Sequence, residues 1–529
     1  MEARGSALSR LLAEHAAGRL SRRGLLKAAA GLGIFLAAGP LGRPALAQGT
    51  PQGTPKRGGT LKIAAPPATT IDPVKLNSPG AIGIVQQVAE YLVYAEPDLS
   101  LRPVLATRWE PSEGGRVWTF ELRRDVRFHD GRPMTAADVV ASFRRLVDPE
   151  SASPAAGALS FLKPDGVTAV DDHTVRFALD RPIGDFPYFT HIYNAVILPA
   201  DYAGNFAEKP VGTGPFRLVS YRPQEGAVFE RNPDYWDQPK PYLDRVEIQL
   251  HETPQPQILA LQSGAVQVVQ QLTWLDARPV VDDAGLVLIE AESGDHRQLA
   301  MRTDMAPFDD VRVRRAVALC FDRAAMVEGL LGGRASVGND HPIAPIYPER
   351  IDLAQRSPDI EQARALLAEA GYPDGFEVDL HTHQLLELPR HAALAQQMLA
   401  PAGIRVNLKV EPSNLYYGHW TEVPMGLTEW TSRPVPALIL AQSFRSDAEW
   451  NAAHWKNQRF DDLLARFEAE TDLGKRSATG TEIAALMNEE VPAVIAYFVR
   501  TLRAARGEVK GLEASMSNYL DLSGTWLDA

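Results

Sequence analysis

The stretch VWTFELRRDVRFHDGRPMTAADVVASFRRLV, residues 117–147, decides the fold class. Apolar and polar side chains alternate through residues 118–122, and this period of two predicts a strand that is buried on one face. Thr135 and Asp138 then form a capping-box-like pair, and apolar residues follow at helical spacing until Pro149. A patterned strand followed by a capped helix indicates an α/β protein.

Strands and helices of the same kind continue on both sides of this stretch. Alternating apolar residues predict further half-buried strands at Val175-Phe177-Leu179, Val246-Ile248-Leu250 and Val406-Leu408-Val410. Asp310 is predicted to cap a helix whose apolar face buries Cys320, and another helix is predicted from Ser357-Pro358 to Gly371. Because no period repeats along the chain, the order of elements favours mixed α/β lobes over a solenoid.

The composition narrows the class of protein. A length of 529 residues exceeds what one hydrophobic core usually supports, and 45% hydrophobic with 23% charged residues is typical of a globular protein. Residues 1–47 carry seven Lys or Arg and two Asp or Glu, so the rest of the chain has a net charge near −17. Such a surface repels phosphate backbones and argues against nucleic acid as a partner. The lone cysteine, Cys320, excludes an intramolecular disulfide and any multi-cysteine metal site.

The N-terminus has the pattern of an export signal. Arg22 and Arg23 directly precede a mild apolar run that is interrupted by glycines and by Pro40 and ends at Ala47. This pattern resembles a twin-arginine signal peptide over residues 1–47 that is cleaved after Ala47. The run is shorter than the about 20 apolar residues that span a membrane, and no cysteine follows it. Neither a membrane anchor nor a lipoprotein is therefore expected, and the mature protein is predicted to be periplasmic.

Motifs of catalytic chemistry are missing from the sequence. It contains no G-x-S-x-G, H-E-x-x-H, Walker-type phosphate loop or G-x-G-x-x-G, so no enzyme, catalytic residue or cofactor is predicted. His381 and His383 follow a short predicted strand and offer two imidazoles, so a metal site is the alternative to consider. They are interpreted as solvent-exposed or ligand-lining residues, and no metal site is predicted.

Several segments carry a family resemblance. Besides the stretch quoted first, they are GGTL at residues 58–61, LRPVLA at 101–106, PVGTGPF at 210–216, RNPDYW at 231–236, PFDD at 307–310 and the helix-to-turn segment at 363–375. In order and spacing these segments resemble the extracellular solute-binding proteins of family 5. Members of that family are the dipeptide-, oligopeptide- and nickel-binding components of ABC importers. The resemblance covers nearly the whole chain after the signal.

The resemblance implies a two-lobed α/β periplasmic binding protein with an inserted subdomain and a hinge between the lobes. The implied division is a flexible leader at residues 48–57, lobe I at 58–95, 205–295 and 490–529, the inserted subdomain at 96–204, and lobe II at 296–489. The implied function is to bind a peptide or peptide-like solute between the lobes and to deliver it to an ABC permease in the inner membrane. No chemical step is required, and a monomer is expected.

Candidate ligand contacts lie on both lobes. In lobe II, Trp430 offers a flat apolar surface, Thr431 offers a hydroxyl, and Arg433 can hold a carboxylate through two parallel hydrogen bonds. The alternative is that Trp430 belongs to the core and Arg433 pairs with a neighbouring acid. The remaining candidates, which carry hydroxyl, aromatic or amide groups, are Thr70, Tyr193, Asn194, Trp450 and Asn451.

The chemistry of the solute stays open at this stage. Peptide-binding relatives commonly carry an aspartate in this region, and the resemblance implies that it holds the amino terminus of the ligand; residues 432–436 contain no acid. Arg433 therefore favours an anionic group, unless Glu429 or Asp447 supplies the missing acid. A peptide, an opine, another carboxylate-bearing solute and a metal chelate such as a nickel complex all remain open, and a periplasmic hydrolase is the alternative from another class.

Overall fold

The computed structural model describes residues 53–517 and 519–528. Its strands are, in chain order, β1 (Thr60–Ala65), β2 (Val93–Ala95), β3 (Leu101–Pro103), β4 (Ala106–Ser112), β5 (Val117–Leu122), β6 (Leu162–Asp171), β7 (Thr174–Leu179), β8 (Phe216–Arg222), β9 (Gly226–Arg231), β10 (Arg245–Leu250), β11 (Val268–Leu272), β12 (Leu286–Ala291), β13 (His296–Met301), β14 (Ala335–Val337), β15 (Phe376–His383), β16 (Ile404–Glu411), β17 (Met425–Trp430), β18 (Ala493–Val499), β19 (Thr501–Arg506), β20 (Val509–Lys510) and β21 (Trp526–Leu527). Its α-helices are α1 (Pro79–Val88), α2 (Ala136–Val147), α3 (Ala155–Ala158), α4 (Phe186–Phe189), α5 (Pro254–Ser263), α6 (Trp274–Val281), α7 (Val311–Leu319), α8 (Arg323–Leu331), α9 (Ile360–Glu369), α10 (Leu388–Leu399), α11 (Ser413–Tyr416), α12 (Pro436–Phe444), α13 (Gln458–Ala469) and α14 (Leu473–Glu490).

The first sheet has seven strands in the order β12-β19-β11-β1-β10-β9-β8. Its centre is parallel, because β1 pairs with both β10 and β11, and Ile63 lies opposite Ile248 and Val268. Ile63 packs into one buried cluster and the next residue, Ala64, packs into another on the opposite face. A strand covered on both faces needs apolar residues at consecutive positions, as β1 has.

The second sheet has six strands in the order β14-β18-β13-β17-β15-β16. Strand β15 runs parallel to both β16 and β17. The carboxyl ends of these three strands therefore meet at one edge, which is where ligand sites of open α/β sheets commonly form. The core of the second sheet includes Leu299, Leu380 and Leu427 from three neighbouring strands.

A third, antiparallel sheet with the order β4-β5-β7-β6 is inserted between pieces of the first lobe. Its strands β5 and β7 confirm the predicted period of two, and their buried Phe120 and Phe177 rings lie 5.4 Å apart. Helix α2 has the predicted capping box, in which the Thr135 side chain accepts from the backbone at Asp138 and the Asp138 side chain accepts from the backbone of Thr135. The stretch that opens the sequence analysis thus forms one sheet and its covering helix.

The chain crosses between the two larger sheets twice. Residues 292–295 join β12 of the first sheet to β13 of the second, and Arg500 joins β18 of the second to β19 of the first. The predicted start of the last piece of lobe I at residue 490 is therefore too early, because β18 pairs with β13 and β14. The two crossings touch, since the Ser293 hydroxyl donates to the Val499 carbonyl at 2.6 Å.

The inserted subdomain also contacts the second lobe directly. The backbone nitrogen of Gly184 donates to the Glu468 carbonyl at 2.9 Å. Next to it, Arg476 forms ion pairs with Asp185 and with Glu349, and all three side chains are almost inaccessible to solvent. Burial raises the pKa of Asp185 to about 7, and the Arg476 charge opposes that rise. The insertion is thus held to the second lobe by charges that are paired inside the chain.

Helix α7 begins as the sequence predicts. The Asp310 carboxylate accepts from the backbone nitrogen of Arg312, which caps the helix. Cys320 follows the last residue of the helix, is a free cysteine and is buried, as predicted. Burial raises the pKa of its thiol to about 12, so the sulfur stays protonated and inert.

Helix α9 begins later than the sequence predicts. The expected cap at Ser357-Pro358 is wrong, because the Asp359 carboxylate accepts from the backbone nitrogen of Gln362 and the helix starts at Ile360. An aspartate carboxylate is a strong N-cap, so the helix is capped at Asp359 and not at Ser357, two residues earlier.

The predicted signal peptide, with Arg22, Arg23 and cleavage after Ala47, lies outside the described residues. Residues 53–57, which were expected to belong to a flexible leader, contact later parts of the chain: Lys56 lies 2.6 Å from Asp528, and Arg57 donates to the Pro239 carbonyl at 2.8 Å. Within residues 53–517 and 519–528, no helix combines the length and the apolar character that a membrane crossing requires.

Candidate functional site

The candidate site is built where β17 ends. The strand finishes at Trp430, and residues 431–435 lead into α12, which starts at Pro436. Trp430 pairs in register with His296 of β13, and both residues are buried. A proline at the first position of a helix has no N–H to satisfy and has a fixed φ, so it makes the start of α12 rigid. The segment is thus anchored by a central strand on one side and a helix on the other.

Trp430 lies in the middle of a row of aromatic rings. Its ring centroid is 6.1 Å from that of Trp420 and 6.0 Å from that of Trp450, and Tyr417 lies 6.4 Å from Trp420. Trp430 is buried, as the core alternative has it, whereas Trp450 is 44% exposed. In the part of the chain that the structure describes, the indole N–H of Trp430 has no hydrogen-bond partner. A buried unpaired donor is costly, and a bound ligand can satisfy it.

Arg433 is half-buried in the same segment and has only uncharged partners. Its Nε donates to Gln442 Oε1 at 2.9 Å, and one Nη donates to the Thr431 hydroxyl at 2.6 Å. Among the described residues no carboxylate lies within 4.0 Å of the guanidinium, so the alternative of a neighbouring acid partner is wrong. Burial lowers the pKa of Arg433, which reflects the cost of holding this charge.

Tyr193 lies within electrostatic reach of Arg433. Burial raises the pKa of the Tyr193 phenol, and the Arg433 charge opposes the rise. Tyr193 belongs to the segment that returns from the inserted sheet, and it packs against the core of the first sheet. Tyr347 of the second lobe donates to the Arg433 carbonyl at 2.8 Å and fixes its backbone. The fold therefore brings Tyr193 within electrostatic reach of Arg433.

Asp295 is a further candidate residue, and sequence reasoning missed it. It lies in the first crossing between the sheets, and its carboxylate accepts a hydrogen bond from the backbone nitrogen of Ser432. Burial raises the pKa of Asp295 to about 6, and the positive charges of Arg297 and Arg433 and the Ser432 bond oppose the rise. Since Asp295 and Ser432 are 137 positions apart, no local motif marks the pair.

The two acids that the sequence suggested as substitutes are occupied. Glu429 accepts from His383 Nε2 at 2.8 Å and also from the Tyr417 hydroxyl. Asp447 pairs with Arg445 at 2.6 Å and is largely exposed. By contrast, Asp295 has no ion-pair partner within residues 53–517 and 519–528. It is the acid best placed to hold a positively charged group beside Arg433.

Two amide candidates have structural roles. The buried Asn194 donates from its amide nitrogen to three backbone carbonyls in residues 73–76, at 3.0 to 3.3 Å. The buried Asn451 donates to the carbonyls of Arg445 and Trp455, and its oxygen accepts from the backbone of Trp455. These amides hold their own loops, and the role of Asn194 and Asn451 as ligand contacts stays a prediction.

Thr70 lies in the loop that follows β1. Its hydroxyl oxygen accepts from the backbone nitrogen of Asp72 at 3.1 Å, and Asp72 in turn accepts from the Tyr202 hydroxyl at 2.8 Å. This loop is fixed by its own hydrogen bonds, while the Thr70 hydroxyl keeps its proton to donate. Thr70 thus stays a candidate contact from the first lobe.

His383 is fully buried, so its interpretation as an exposed or ligand-lining residue is wrong. Its Nδ1 contacts the Ser413 hydroxyl at 2.8 Å, and its ring stacks on Tyr416 at 4.9 Å. His381 is half-buried and contacts Glu411 at 2.8 Å. The two histidines therefore have different partners and do not act as a pair.

A cavity of about 340 Å³ lies beside Trp450, between the inserted subdomain and α12. Its apolar lining includes Phe161, Phe189 and Leu438, and Arg181 and Glu468 line it as well. Sites for small molecules have this size and this mixture of apolar walls with a few charged groups. The aromatic row thus continues into a space that can hold the body of a ligand.

Residues 100–452 match the model of the bacterial extracellular solute-binding proteins, family 5, middle part. The match covers more than half of the chain and includes both the inserted subdomain and the Trp430–Arg433 segment. The chain belongs to this family. The resemblance that the sequence segments carry is thereby confirmed.

Relatives of this family 5 protein match most of its length. It is 28% identical over 481 residues to the probable deoxycholate-binding periplasmic protein YgiS of Escherichia coli K12, which covers 84% of this chain and 88% of the relative. It is 28% identical over 478 residues to di/tripeptide-binding protein 2 of Pseudomonas aeruginosa UCBPP-PA14, which covers 82% of this chain and 88% of the relative.

A solved structure supports the same conclusion. The periplasmic binding protein AgaA of A. tumefaciens R10, in complex with agropinic acid, is 25% identical to this chain, with a TM-score of 0.73. The match covers 89% of this chain and 99% of that one. The family 5 protein thus has the two-lobed α/β fold of periplasmic binding proteins, and the predicted fold class is confirmed.

Proposed function

We propose that this protein binds a carboxylate-bearing peptide or peptide-like solute between its two lobes in the periplasm and delivers it to the permease of an ABC importer. Arg433 is the observation that carries the proposal. Its half-buried guanidinium has hydroxyl, amide and carbonyl partners but no acid within ion-pair distance in the described ranges. A desolvated charge without a partner is costly, so a ligand anion that pairs with Arg433 recovers this cost.

The relatives' ligands share this chemistry. Deoxycholate, a di- or tripeptide and agropinic acid differ in size and shape, and each carries a carboxylate. Arg433 can meet such a group through two parallel hydrogen bonds, which fix its orientation as well as its charge. The carboxylate is thus the part of the solute that we assign to the second lobe.

Asp295 provides the place for a positive group. Its carboxylate belongs to a half-buried residue, accepts from the backbone nitrogen of Ser432 and has no cation within 4.0 Å among the residues described. A peptide carries an ammonium group as well as a carboxylate, and Asp295 beside Arg433 is a complementary pair of charges for such a zwitterion. We therefore assign the ammonium of a peptide ligand to Asp295, since residues 432–436 contain no acid.

The body of the solute is assigned to the aromatic row. The exposed face of Trp450 and the cavity beside it offer apolar area, and the unpaired indole N–H of Trp430 offers one donor. Aromatic rings tolerate ligands of varied shape, because they supply contact area without demanding a particular hydrogen-bond pattern.

Transport requires closure of the lobes and no chemical step. The crossings at residues 292–295 and at Arg500 are the hinge around which we propose that the lobes rotate. A ligand that contacts both lobes favours the closed form by its differential affinity, and the permease recognises that form. The hinge is linked to the site, since Gly294 donates its backbone N–H to the Ser432 hydroxyl at 3.0 Å.

Export belongs to the same proposal. Arg22 and Arg23 followed by a short apolar run support a twin-arginine signal that is removed after Ala47, leaving a monomer free in the periplasm. Intact-mass measurement of the exported protein tests this. A mass that includes residues 1–47, or an added lipid, contradicts it.

Native mass spectrometry of gently purified protein tests the binding function, because a trapped solute reports its own mass. A calorimetric titration with that solute, or with a mixture of di- and tripeptides, then gives the affinity. We expect one carboxylate-bearing molecule per chain, recovered unchanged after release. Fragments of the peptides would identify a hydrolase and overturn the proposal.

A second solute class has specific support. The match to a structure that contains agropinic acid favours an opine or a similar non-peptide carboxylate. Arg433 serves both classes, whereas Asp295 serves only a solute with a positive group. Comparing a peptide with its N-acetylated form distinguishes them, because acetylation removes the charge that Asp295 would hold.

A further inference from the structure

A compact cluster of titratable side chains lies at the carboxyl ends of the parallel strands β15 and β16. It consists of His381, Glu411 and His419. Strands β15 and β16 are parallel and paired in register, so His381 and Glu411 reach the same edge at their carboxyl ends. His419 comes from the segment between α11 and β17. Glu411 contacts His381 Nδ1 with one oxygen and His419 Nε2 with the other, both at 2.8 Å. One nitrogen or oxygen atom from each residue lies within 4.8 Å of the others.

The donor set suits a transition metal. Two imidazole nitrogens and one carboxylate are ligands that Zn²⁺, Ni²⁺ and Cu²⁺ prefer, whereas Mg²⁺ and Ca²⁺ prefer oxygen alone. Ligand atoms around such a metal sit at about 2.0–2.2 Å from it, and the three candidate atoms lie within 4.8 Å of one another. Three protein ligands leave further positions for water or another small ligand.

A comparison within the molecule separates a metal site from an ordinary group of charges. His454 also lies near two acids, at 3.3 Å from Asp304 and 3.9 Å from Glu422. There Arg302 already occupies both carboxylates, at 2.8 Å and 3.2 Å. Arg302 therefore neutralises one of the two negative charges of that second group.

No fixed cation balances Glu411. Its ion-pair partners in the described ranges are the two imidazoles. Lys409, on the same strand, pairs with Asp379 at 3.6 Å. The cluster thus combines one carboxylate with two imidazole nitrogens and has no Lys or Arg partner among the described residues, and transition metal ions accept this donor set.

We propose that His381, Glu411 and His419 bind a divalent transition metal ion of the Zn²⁺, Ni²⁺ and Cu²⁺ class. This site is separate from the Arg433 segment, but the two are connected. His419 is followed by Trp420, whose ring lies 6.1 Å from Trp430. A bound ion ties the segment between α11 and β17 to the ends of β15 and β16, and it thereby fixes one member of the aromatic row.

Calorimetry on untagged, chelator-treated protein tests the proposal, with Zn²⁺, Ni²⁺ and Mg²⁺ as separate titrants. We expect one Zn²⁺ or Ni²⁺ per chain and no measurable binding of Mg²⁺. His419→Ala and Glu411→Gln should weaken Zn²⁺ binding at least about tenfold, the size of effect typical of an altered metal site. The matched control is His454→Ala, which removes a histidine from the group whose two acids pair with Arg302 and should leave the Zn²⁺ affinity unchanged.

A spectroscopic readout separates coordination from a loss of folding. Co²⁺ added to the metal-free protein should give visible absorption bands, and these should disappear in His419→Ala while the circular dichroism stays unchanged. Equal Zn²⁺ affinities in His419→Ala and His454→Ala overturn the proposal. Binding of Mg²⁺ as tight as that of Zn²⁺, or no binding of any of the three ions at millimolar concentration, overturns it as well.

Discussion

The second lobe contains two arginines that differ in their partners. Arg476 forms ion pairs with Asp185 of the insertion and with Glu349, and all three side chains are almost inaccessible. Arg433 is half-buried and, within residues 53–517 and 519–528, has no carboxylate at ion-pair distance. Carboxylates of the chain itself pair with Arg476, whereas we propose that a bound ligand supplies the anion that pairs with Arg433. A paired buried charge is structural, whereas an unpaired one is available for binding.

The largest effect on stability is expected when Arg476 is replaced. In Arg476→Ala the carboxylates of Asp185 and Glu349 stay buried without their cation, so the free energy of unfolding should fall by about 3–5 kcal/mol. Urea denaturation followed by circular dichroism measures it. The control is Arg466→Ala, whose exposed pair with Glu482 at 2.6 Å should contribute about 0–1 kcal/mol. A similar fall of the unfolding free energy in both variants would show that the buried ion pairs stabilise the fold no more than the exposed pair does.

Replacing Arg433 should change ligand affinity and not stability, the reverse of what is expected for Arg476. Arg433→Ala should weaken binding of a carboxylate-bearing solute at least tenfold, about 1.4 kcal/mol, and leave the urea midpoint nearly unchanged. No carboxylate of the described structure lies within ion-pair distance of Arg433, so the substitution breaks no ion pair. Titration calorimetry gives the affinity, with the exposed Arg405→Ala on β16 as control. An unchanged dissociation constant removes Arg433 from the site.

The pH dependence of ligand affinity tests the role of Asp295. Its pKa of about 6 means that it is ionised at neutral pH and takes up a proton as the pH falls below about 6. A ligand ammonium needs the ionised form, so the affinity for a free peptide should fall between about pH 7 and about pH 5. Asp295→Asn should weaken binding by about three- to tenfold and flatten this dependence, while the N-acetylated peptide should show neither effect. The same pH profile in Asp295→Asn would assign the titration to another group.

Trp450 should give the smallest effect. Its exposed ring supplies contact area only, so Trp450→Ala should cost about 0.5–1.5 kcal/mol of binding, or about two- to tenfold in Kd. Tyr221→Ala on β8, away from the site, is the matched aromatic control. A loss larger than that of Arg433→Ala would mean that the aromatic row and not the charge dominates the affinity.

The elements were predictable where their cause is local. The capping box of α2 and the alternation in β5 and β7 involve residues only two to four positions apart, and the structure has all of them. Strand β16 is less buried than its alternation predicts, and Val410 is 36% exposed, because β16 is an edge strand of the second sheet. Alternation shows which face of a strand is apolar but not how many neighbours cover it.

The site was predictable only in part. Trp430 and Arg433 stand out in one short segment, and the structure brings Tyr193 within electrostatic reach of Arg433. Asp295 reaches Ser432 across 137 positions, and a sequence read locally has no sign of that contact. The structural roles of Asn194 and Asn451 were missed for a related reason. Composition shows that an amide is present, but only the fold shows that its hydrogen bonds are already used by backbone groups.

The burial of Cys320 has a practical consequence. It is the single cysteine of the chain, and burial raises the pKa of its thiol to about 12, so no reactive native thiolate is available to add to a maleimide dye. Two cysteines introduced at exposed positions, one on each lobe, would therefore take up a donor and an acceptor fluorophore without background labelling. Energy transfer between the dyes would then report lobe closure in real time, and the protein becomes a sensor for whichever solute it collects.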